Sequence, residues 1–436
     1  MRLVYNGLLR IAAPLAFALV LARGFRDRTY WQSPGERFGY GAARTIAVRG
    51  GPCIWLHAVS LGEVAAAAAI VGALRERFPN VALIVTTATP TGRARARALF
   101  GAGADVRFLP YDLPAAMARF LDRVRPNAVL IMETELWPNL FRACTRRGLP
   151  LVLASARLSQ RSLSRYRRLG GLFRELFTPN VWVAAQTAGD AERFTAIGAA
   201  PDRTRIVGNV KFDIAIGSDL HDRGRALRRR SFAGRAVWAA GSTHEGEEEQ
   251  VLAAHDLVRA TTPDALLLLA PRHPQRFATV AALLARRGAA FVRRSEGVAV
   301  PAAADVLLVD TVGELLSLYA AADVAFVGGS LVAAGGHNLL EPAALGLPVL
   351  TGPSDANGRE IAALLLDAGA ARRVADGAEL GAAVTALLAS PAERLRIGTI
   401  GRGLVAANRG AVGRIVTLLA SLLGAAEPAN ASPGSP

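Results

Sequence analysis

Residues 323–342 read DVAFVGGSLVAAGGHNLLEP. A short apolar run ending at Val327 leads through the glycines to a second apolar segment, Leu339–Leu345. The first run has the length and β-branched content of a buried parallel strand, and the second reads as a helix. A glycine turn that brings a helix N-terminus to the C-terminal end of a strand offers free backbone N–H groups and a positive dipole end to an anion. Glycines alone would also fit an ordinary βα turn. His337, Asn338 and Glu341 beside Gly335-Gly336 favour a nucleotide site, with Glu341 able to accept hydrogen bonds from sugar hydroxyls.

The same alternation extends in both directions. Apolar runs at 53–57, 82–87, 128–133, 151–154 and 182–185 read as strands of one domain. Runs at 237–241, 265–270, 290–293, 306–310, 324–328 and 348–351 read as strands of another. Strands alternating with longer helical stretches imply βαβ units and parallel sheets. The expected organisation is a membrane anchor with a basic flank over 1–28, a Rossmann-like domain over 29–207, and a basic hinge over 208–230. A second Rossmann-like domain over 231–423 and a disordered tail over 424–436 complete it. Two such domains facing a central cleft would place ligands at the C-terminal ends of both sheets.

Composition agrees with two sizeable cores: 436 residues, 52% hydrophobic and 20% charged. A net charge of +16, carried mostly by arginine, calls for an anionic partner such as a phosphorylated substrate, a membrane surface or nucleic acid. Cys53 and Cys144 form no metal-ligand spacing or disulfide framework, as expected in a reducing compartment. The N-terminal segment is apolar from Leu3 to Ala22 with Arg10 inside it, and Arg23, Arg26 and Arg28 follow. That length just reaches the ~20 residues a bilayer span requires. An interfacial or barely spanning anchor with its basic flank on the cytoplasmic side is expected.

Residues with chemical potential stand at the strand ends. His57–Glu63 follows the first strand, and Met132-Glu133-Thr134-Glu135 ends the third. Acidic residues at the end of a buried strand are costly unless paired or used, although helix N-capping is an ordinary use for them. Pro271-Arg272-His273 presents a guanidinium suited to phosphate or carboxylate. Asp310-Thr311-Val312-Gly313-Glu314 could line a nucleobase or ribose pocket, and Lys211 in the hinge could supply an ammonium. The chain has no Asp-x-Asp, no lysine-bearing P-loop and no histidine set with metal spacing. Metal-independent chemistry on a nucleotide with few phosphates is the expectation.

These motifs, in this order, resemble the 3-deoxy-D-manno-octulosonic acid (Kdo) transferases of lipopolysaccharide (lipid A–core) biosynthesis. The resemblance runs through Gly35–Gly39, His57–Glu63, Thr86–Gly92, Leu109–Asp112, Met132–Asn139, Ala156–Ser159, Gly208–Asp213, Gly241–Glu248, Pro271–His273 and Gly328–Pro342. It implies a GT-B fold and an inverting transfer of Kdo from CMP-Kdo to the 6′-hydroxyl of a tetraacylated, bisphosphorylated lipid A precursor. The setting it implies is the cytoplasmic side of the bacterial inner membrane, with no cofactor and no nucleic acid. By resemblance Glu63 is the general base, while Glu133 and Lys211 stabilise the transition state. Pro271, Arg272, Val312, Gly313, Glu314, Asn338, Leu339, Leu340 and Glu341 match positions that bind the CMP of the donor.

The chain departs from the family pattern at Ala333-Ala334, at Val312 and at Ser354–Ala356, all on the donor side. Glu36 is a second candidate base, ranked below Glu63 because it is expected on a mobile membrane-proximal segment. Another membrane-associated GT-B enzyme, using a UDP-sugar and a lipid-linked acceptor, would share the glycine turn and the basic N-terminal half. A basic membrane-attached nucleic-acid-binding protein would instead interleave aromatics with its basic residues, and aromatics are only 6% of this chain.

Overall fold

The computed structural model describes residues 1–41, 50–214, 216–217, 219–232 and 234–424. The expected tail therefore lies, beyond Gly424, outside the described residues. Contacts divide the chain into one unit of Met1–Asp213 with Asn408–Pro436 and a second of Ile214–Ala407.

The first unit is built on a seven-stranded parallel sheet. Its strands are β1 (Cys53–His57), β2 (Ala82–Thr87), β3 (Asp105–Phe108), β4 (Ala128–Met132), β5 (Leu151–Ala156), β6 (Val181–Ala185) and β7 (Thr204–Ile206). Their order is β3-β2-β1-β4-β5-β6-β7. Every residue of β2, β4 and β5 is buried, because helices cover both faces of the sheet. One face packs Ile54, Leu56, Leu83 and Leu130 against Val64, Ile70 and Leu74 of helix Leu61–Arg77. The other packs Trp55, Val129 and Ile131 against Phe120, Leu140 and Phe141.

Helix Ala411–Leu422 also belongs to this unit. Its Ala411, Ile415 and Leu419 lie in the same core as Ile54 and Leu56. The Asp213 carboxylate accepts the N–H groups of Gly410 and Val412. The second domain expected through residue 423 thus ends earlier, and the chain closes on the first unit.

The second unit repeats the plan with β8 (Val237–Thr243), β9 (Leu266–Pro271), β10 (Phe291–Arg293), β11 (Val306–Leu308), β12 (Val324–Val327), β13 (Val349–Thr351) and β14 (Ala371–Arg373). All neighbours are parallel, in the order β10-β11-β9-β8-β12-β13-β14. Helix Leu220–Ser231, inside the expected hinge, buries Leu220 and Leu227 in this unit's core. Three strands went unread in the sequence: β3, β7 and β14. Each is short, carries arginine and lies at a sheet edge.

Helix Arg2–Gly24 is long and apolar enough to cross a membrane by length and composition. One side is tied to the first unit. The Tyr5 hydroxyl donates to Asp112 Oδ2 at 2.8 Å, Asn139 Nδ2 donates to Asn6 Oδ1 at 2.8 Å, and Phe17 meets Phe38 edge to face. Leu3, Val4, Leu8, Ile11, Leu15 and Leu19 stay between 62% and 83% exposed. From Val4 onward their spacing of three and four residues makes an apolar stripe.

Candidate active site

In the first sheet the chain runs outward from β1 through β2 and β3, then returns to place β4 on the opposite side of β1. That reversal is a topological switch point, where open α/β sheets bind ligands. Glu63 follows β1, and Glu133 follows β4. The first two of the proposed catalytic residues therefore leave neighbouring strands at the reversal.

Glu63 stands in the first turn of helix Leu61–Arg77. Ser60 is the N-cap, its hydroxyl accepting the Glu63 N–H. The carboxylate reaches back, Oε2 accepting the Val59 N–H at 2.8 Å and Oε1 the Ser60 hydroxyl at 3.0 Å. This is a variant of the reciprocal S-x-x-E capping box, so the capping role and the chemical role fall on one side chain. Burial pushes the Glu63 carboxyl above the ordinary range. The two donors pull it back, and the Glu133 charge adds to the rise.

Glu133 holds φ at 53°, left-handed space that a non-glycine residue occupies at a cost. Its N–H donates to the Ala154 carbonyl, which pins the turn to β5. Oε1 lies 3.7 Å from Lys211 Nζ. Both side chains are about a third exposed, so the pair adds little to stability. The Lys211 backbone is fixed instead by Asn209, whose Oδ1 accepts its N–H. Glu135 completes the acidic group. Burial first, then the Glu63 charge, pushes its carboxyl up to about 7, with Glu133 adding to the rise and Trp137 opposing it. The sequence reading passed over Glu135 as part of a motif, since nothing local shows that it is half-buried beside two other carboxylates.

In the second unit the reversal falls between β8 and β12. The glycine turn after β12 differs from expectation. The N–H groups of Gly329, Ser330 and Leu331 are not free; they donate to the carboxylate of Glu247 at 2.7–3.0 Å. The same carboxylate accepts the His244 N–H at 3.0 Å and is wholly buried. An internal anion occupies the backbone cradle and locks the ends of β8 and β12 together. A Cβ at Gly328 would stand 2.8 Å from Glu247 Oε2. The helix beyond is also shorter than expected, Leu340–Ala344. Those three N–H groups are thus taken, and the side chains expected around an anionic ligand remain to be placed.

Those side chains come from three loops. Arg272 follows β9, with its N–H on the Thr243 carbonyl, and its guanidinium is exposed. Its charge opposes the rise that burial imposes on Glu341, whose Oε1 accepts from Asn338 Nδ2 at 3.1 Å. Asn338 Oδ1 also accepts the Leu340 N–H, fixing the start of the short helix, while Leu339 and Leu340 are buried. After β11, Val312 is 78% exposed and Gly313 has φ 91°, a turn that favours glycine. Hydrogen bonds from Arg294 and Thr311 hold Glu314 below the ordinary carboxylate range. Pro271 is the last residue of β9.

Glu36 is not on a free segment. Its carboxylate accepts from Arg93 at 3.1 Å and from the Phe108 N–H at 2.9 Å, tying Pro34–Phe38 to β3. Both of its oxygens are in structural use, as are both oxygens of Glu63, so hydrogen bonding does not rank the two; the segment carrying Glu36 is anchored where a mobile one was expected. Among the described residues, no group of three or more His, Cys, Asp or Glu is arranged to hold a metal ion.

Comparison with known proteins agrees with this geometry. Residues 32–214 match the family model described as 3-Deoxy-D-manno-octulosonic-acid transferase (kdotransferase). The 3-deoxy-D-manno-octulosonic acid transferase of Haemophilus influenzae is 39% identical over 96% of this chain and 98% of that protein. Its counterpart in Bordetella pertussis is 41% identical over 97% and 99%. A solved UDP-GlcNAc 2-epimerase from Neisseria meningitidis, bound to UDP-GlcNAc, has the same two-domain α/β fold. It covers 85% of this chain and all of its own at a TM-score of 0.54 and 16% identity. The two Rossmann-like units are those of the GT-B class, and the chain belongs to the 3-deoxy-D-manno-octulosonic-acid transferase family, whose members are glycosyltransferases.

Proposed function

We propose that this enzyme moves Kdo from CMP-Kdo to the 6′-hydroxyl of a tetraacylated, bisphosphorylated lipid A precursor, with inversion and without a metal. The observation that carries the reading is the carboxylate of Glu63 at the switch point, partly desolvated and beside the Glu133–Lys211 pair. Glu63 takes the proton of the acceptor hydroxyl. The oxygen bonds to the anomeric carbon as that carbon's bond to the CMP phosphate breaks, and CMP leaves with the electron pair. Glu133 and Lys211 offer fixed charges to the oxocarbenium-like transition state. Arg272, with Asn338–Glu341 and Val312–Glu314, holds CMP.

The pH profile separates Glu63 from Glu135 as base. With Glu63 as base, kcat/KM rises with pH along a limb above the ordinary carboxylate range, and Glu135→Gln keeps that limb. A limb near 7 that vanishes in Glu135→Gln would move the base role to Glu135, whose carboxyl ionises at about 7.

The N-terminal helix supports attachment at a membrane surface. Its polar residues Tyr5 and Asn6 are bonded to the first unit, while its leucine stripe is free. We place it flat in the interface of the inner membrane on the cytoplasmic side, where the excess of basic residues meets anionic headgroups. Replacing Leu8, Ile11 and Leu15 with glutamate is expected to lower co-flotation with anionic vesicles roughly tenfold or more. Transfer to detergent-dispersed acceptor should persist. Unchanged flotation would remove the helix from membrane attachment.

A further inference from the structure

We propose that His244, His273 and His337, together with Arg272, form an oxyanion subsite that takes a phosphate or carboxylate group of the donor. The proposal rests on the reading that the second unit binds a CMP-sugar acid, and it adds the groups that grip the charge.

The topology assembles the cluster. Strands β9, β8 and β12 are consecutive neighbours, and each is followed by one of the three histidines. His244 is the middle ring. Its plane lies within 14° of that of His337 with centroids 5.0 Å apart, the two rings meeting Nε2 edge to Nε2 edge, and it meets His273 edge to face at 5.3 Å. The Nε2 atoms of His244 and His337 lie 2.7 Å apart. A contact that short needs a proton between them, one ring donating and the other accepting, so at least one of the pair is neutral. None of the three rings belongs to the expected CMP-binding positions.

The carboxylates around these rings have their oxygens engaged by other donors, although the Glu247 charge still favours a proton on His244. Glu247 accepts four backbone N–H groups. Glu248 is paired with Arg276 at 2.6 Å and also bonded to Thr243. Glu341 accepts from Asn338. Arg272 and Arg276 add positive charge that both disfavours a proton on His244 and attracts an anion. The described residues hold no metal-binding arrangement of these side chains, so the rings do not converge as cation ligands. Imidazole N–H groups and an exposed guanidinium fork are instead donors matched to an oxyanion.

Proton linkage follows. Burial, then Arg272 and the other two rings, hold His337 down to about 4, and burial with His273 lowers His244, Glu247 opposing. An oxyanion placed among them raises both values. Binding therefore takes up a proton between the free and bound values, and affinity grows as pH falls through that window.

Titration calorimetry on the full chain tests this with cytidine, CMP and free Kdo, at mildly acidic pH in two buffers of different ionisation enthalpy. Wild type should take up protons with an anionic ligand and none with cytidine. His244→Asn and His337→Gln should each weaken the sensed anion about tenfold, as for a lost charge-assisted hydrogen bond, and leave cytidine unchanged. Loss on CMP assigns the subsite to phosphate, and loss on Kdo assigns it to carboxylate. Wild-type affinity for both ligands in folded variants, or buffer-independent heats in wild type, overturns the proposal. The buffer comparison needs no variant, so a substitution that unfolds the chain leaves a decisive arm. Histidine-insensitive binding alongside intact Kdo transfer defeats this inference alone. A wild type that binds no CMP defeats the donor assignment as well.

Discussion

Glu63→Gln is expected to lower Kdo transfer by roughly 10²–10⁴-fold, the usual worth of a positioned general base. Glutamine keeps an oxygen that can accept the Val59 N–H now held by Glu63 Oε2 at 2.8 Å. The helix start survives, and only the capacity to take a proton is lost. Glu63→Ala removes the base together with the reciprocal bonds from Val59 and Ser60, while the Ser60 cap on the backbone stays, so it should be equally inactive and also less stable by about 1 kcal/mol. Comparing the two by circular dichroism melting and by transfer rate separates chemistry from folding. A Glu63→Gln enzyme within about threefold of wild type would take the base role from this residue.

Glu247→Ala carries the largest expected cost in stability. Removing its carboxylate strands four N–H donors, those of His244, Gly329, Ser330 and Leu331, in a site closed to water. A buried donor left unpaired costs about 1–3 kcal/mol, and the four are coupled rather than additive. A loss of several kcal/mol is expected, a large share of a typical domain's 5–15 kcal/mol. Glu247→Gln retains one acceptor oxygen but turns an NH₂ toward two donors, so it should recover only part of the loss. Denaturant midpoints of the three proteins, with CMP affinity beside them, measure the effect. An alanine variant within about 0.5 kcal/mol of wild type would mean that water or a shifted backbone replaces the carboxylate.

The two predictions also mark what could be read from sequence. The central strands of both sheets were legible because burial on both faces leaves uninterrupted apolar runs, as in Ala128–Met132 and Leu266–Pro271. The placement of Glu63 and Glu133 after strands of the first sheet was legible, because acidic residues at the ends of such runs need a reason to be there. The edge strands β7 and β14 were not, since they leave two of three residues exposed and show no pattern, whereas the edge strand β10 was read from its run at 290–293. The glycine turn was half read. Its shape follows from local residues, but the anion it holds is Glu247, 82 residues from Gly329. The histidine cluster is likewise assembled from three separate strand ends, and no spacing in the sequence announces it. Helix Ala411–Leu422 has an apolar face, yet nothing along the chain tells which sheet that face covers.

The most direct test of the central claim is mass spectrometry of a tetraacylated, bisphosphorylated lipid A precursor after incubation with purified protein, detergent, EDTA and CMP-Kdo. The expected result is lipid heavier by whole Kdo residues, with matching release of CMP and almost none with Glu63→Gln. Unmodified lipid with folded wild-type protein, or product from a UDP-sugar in place of CMP-Kdo, would contradict the account.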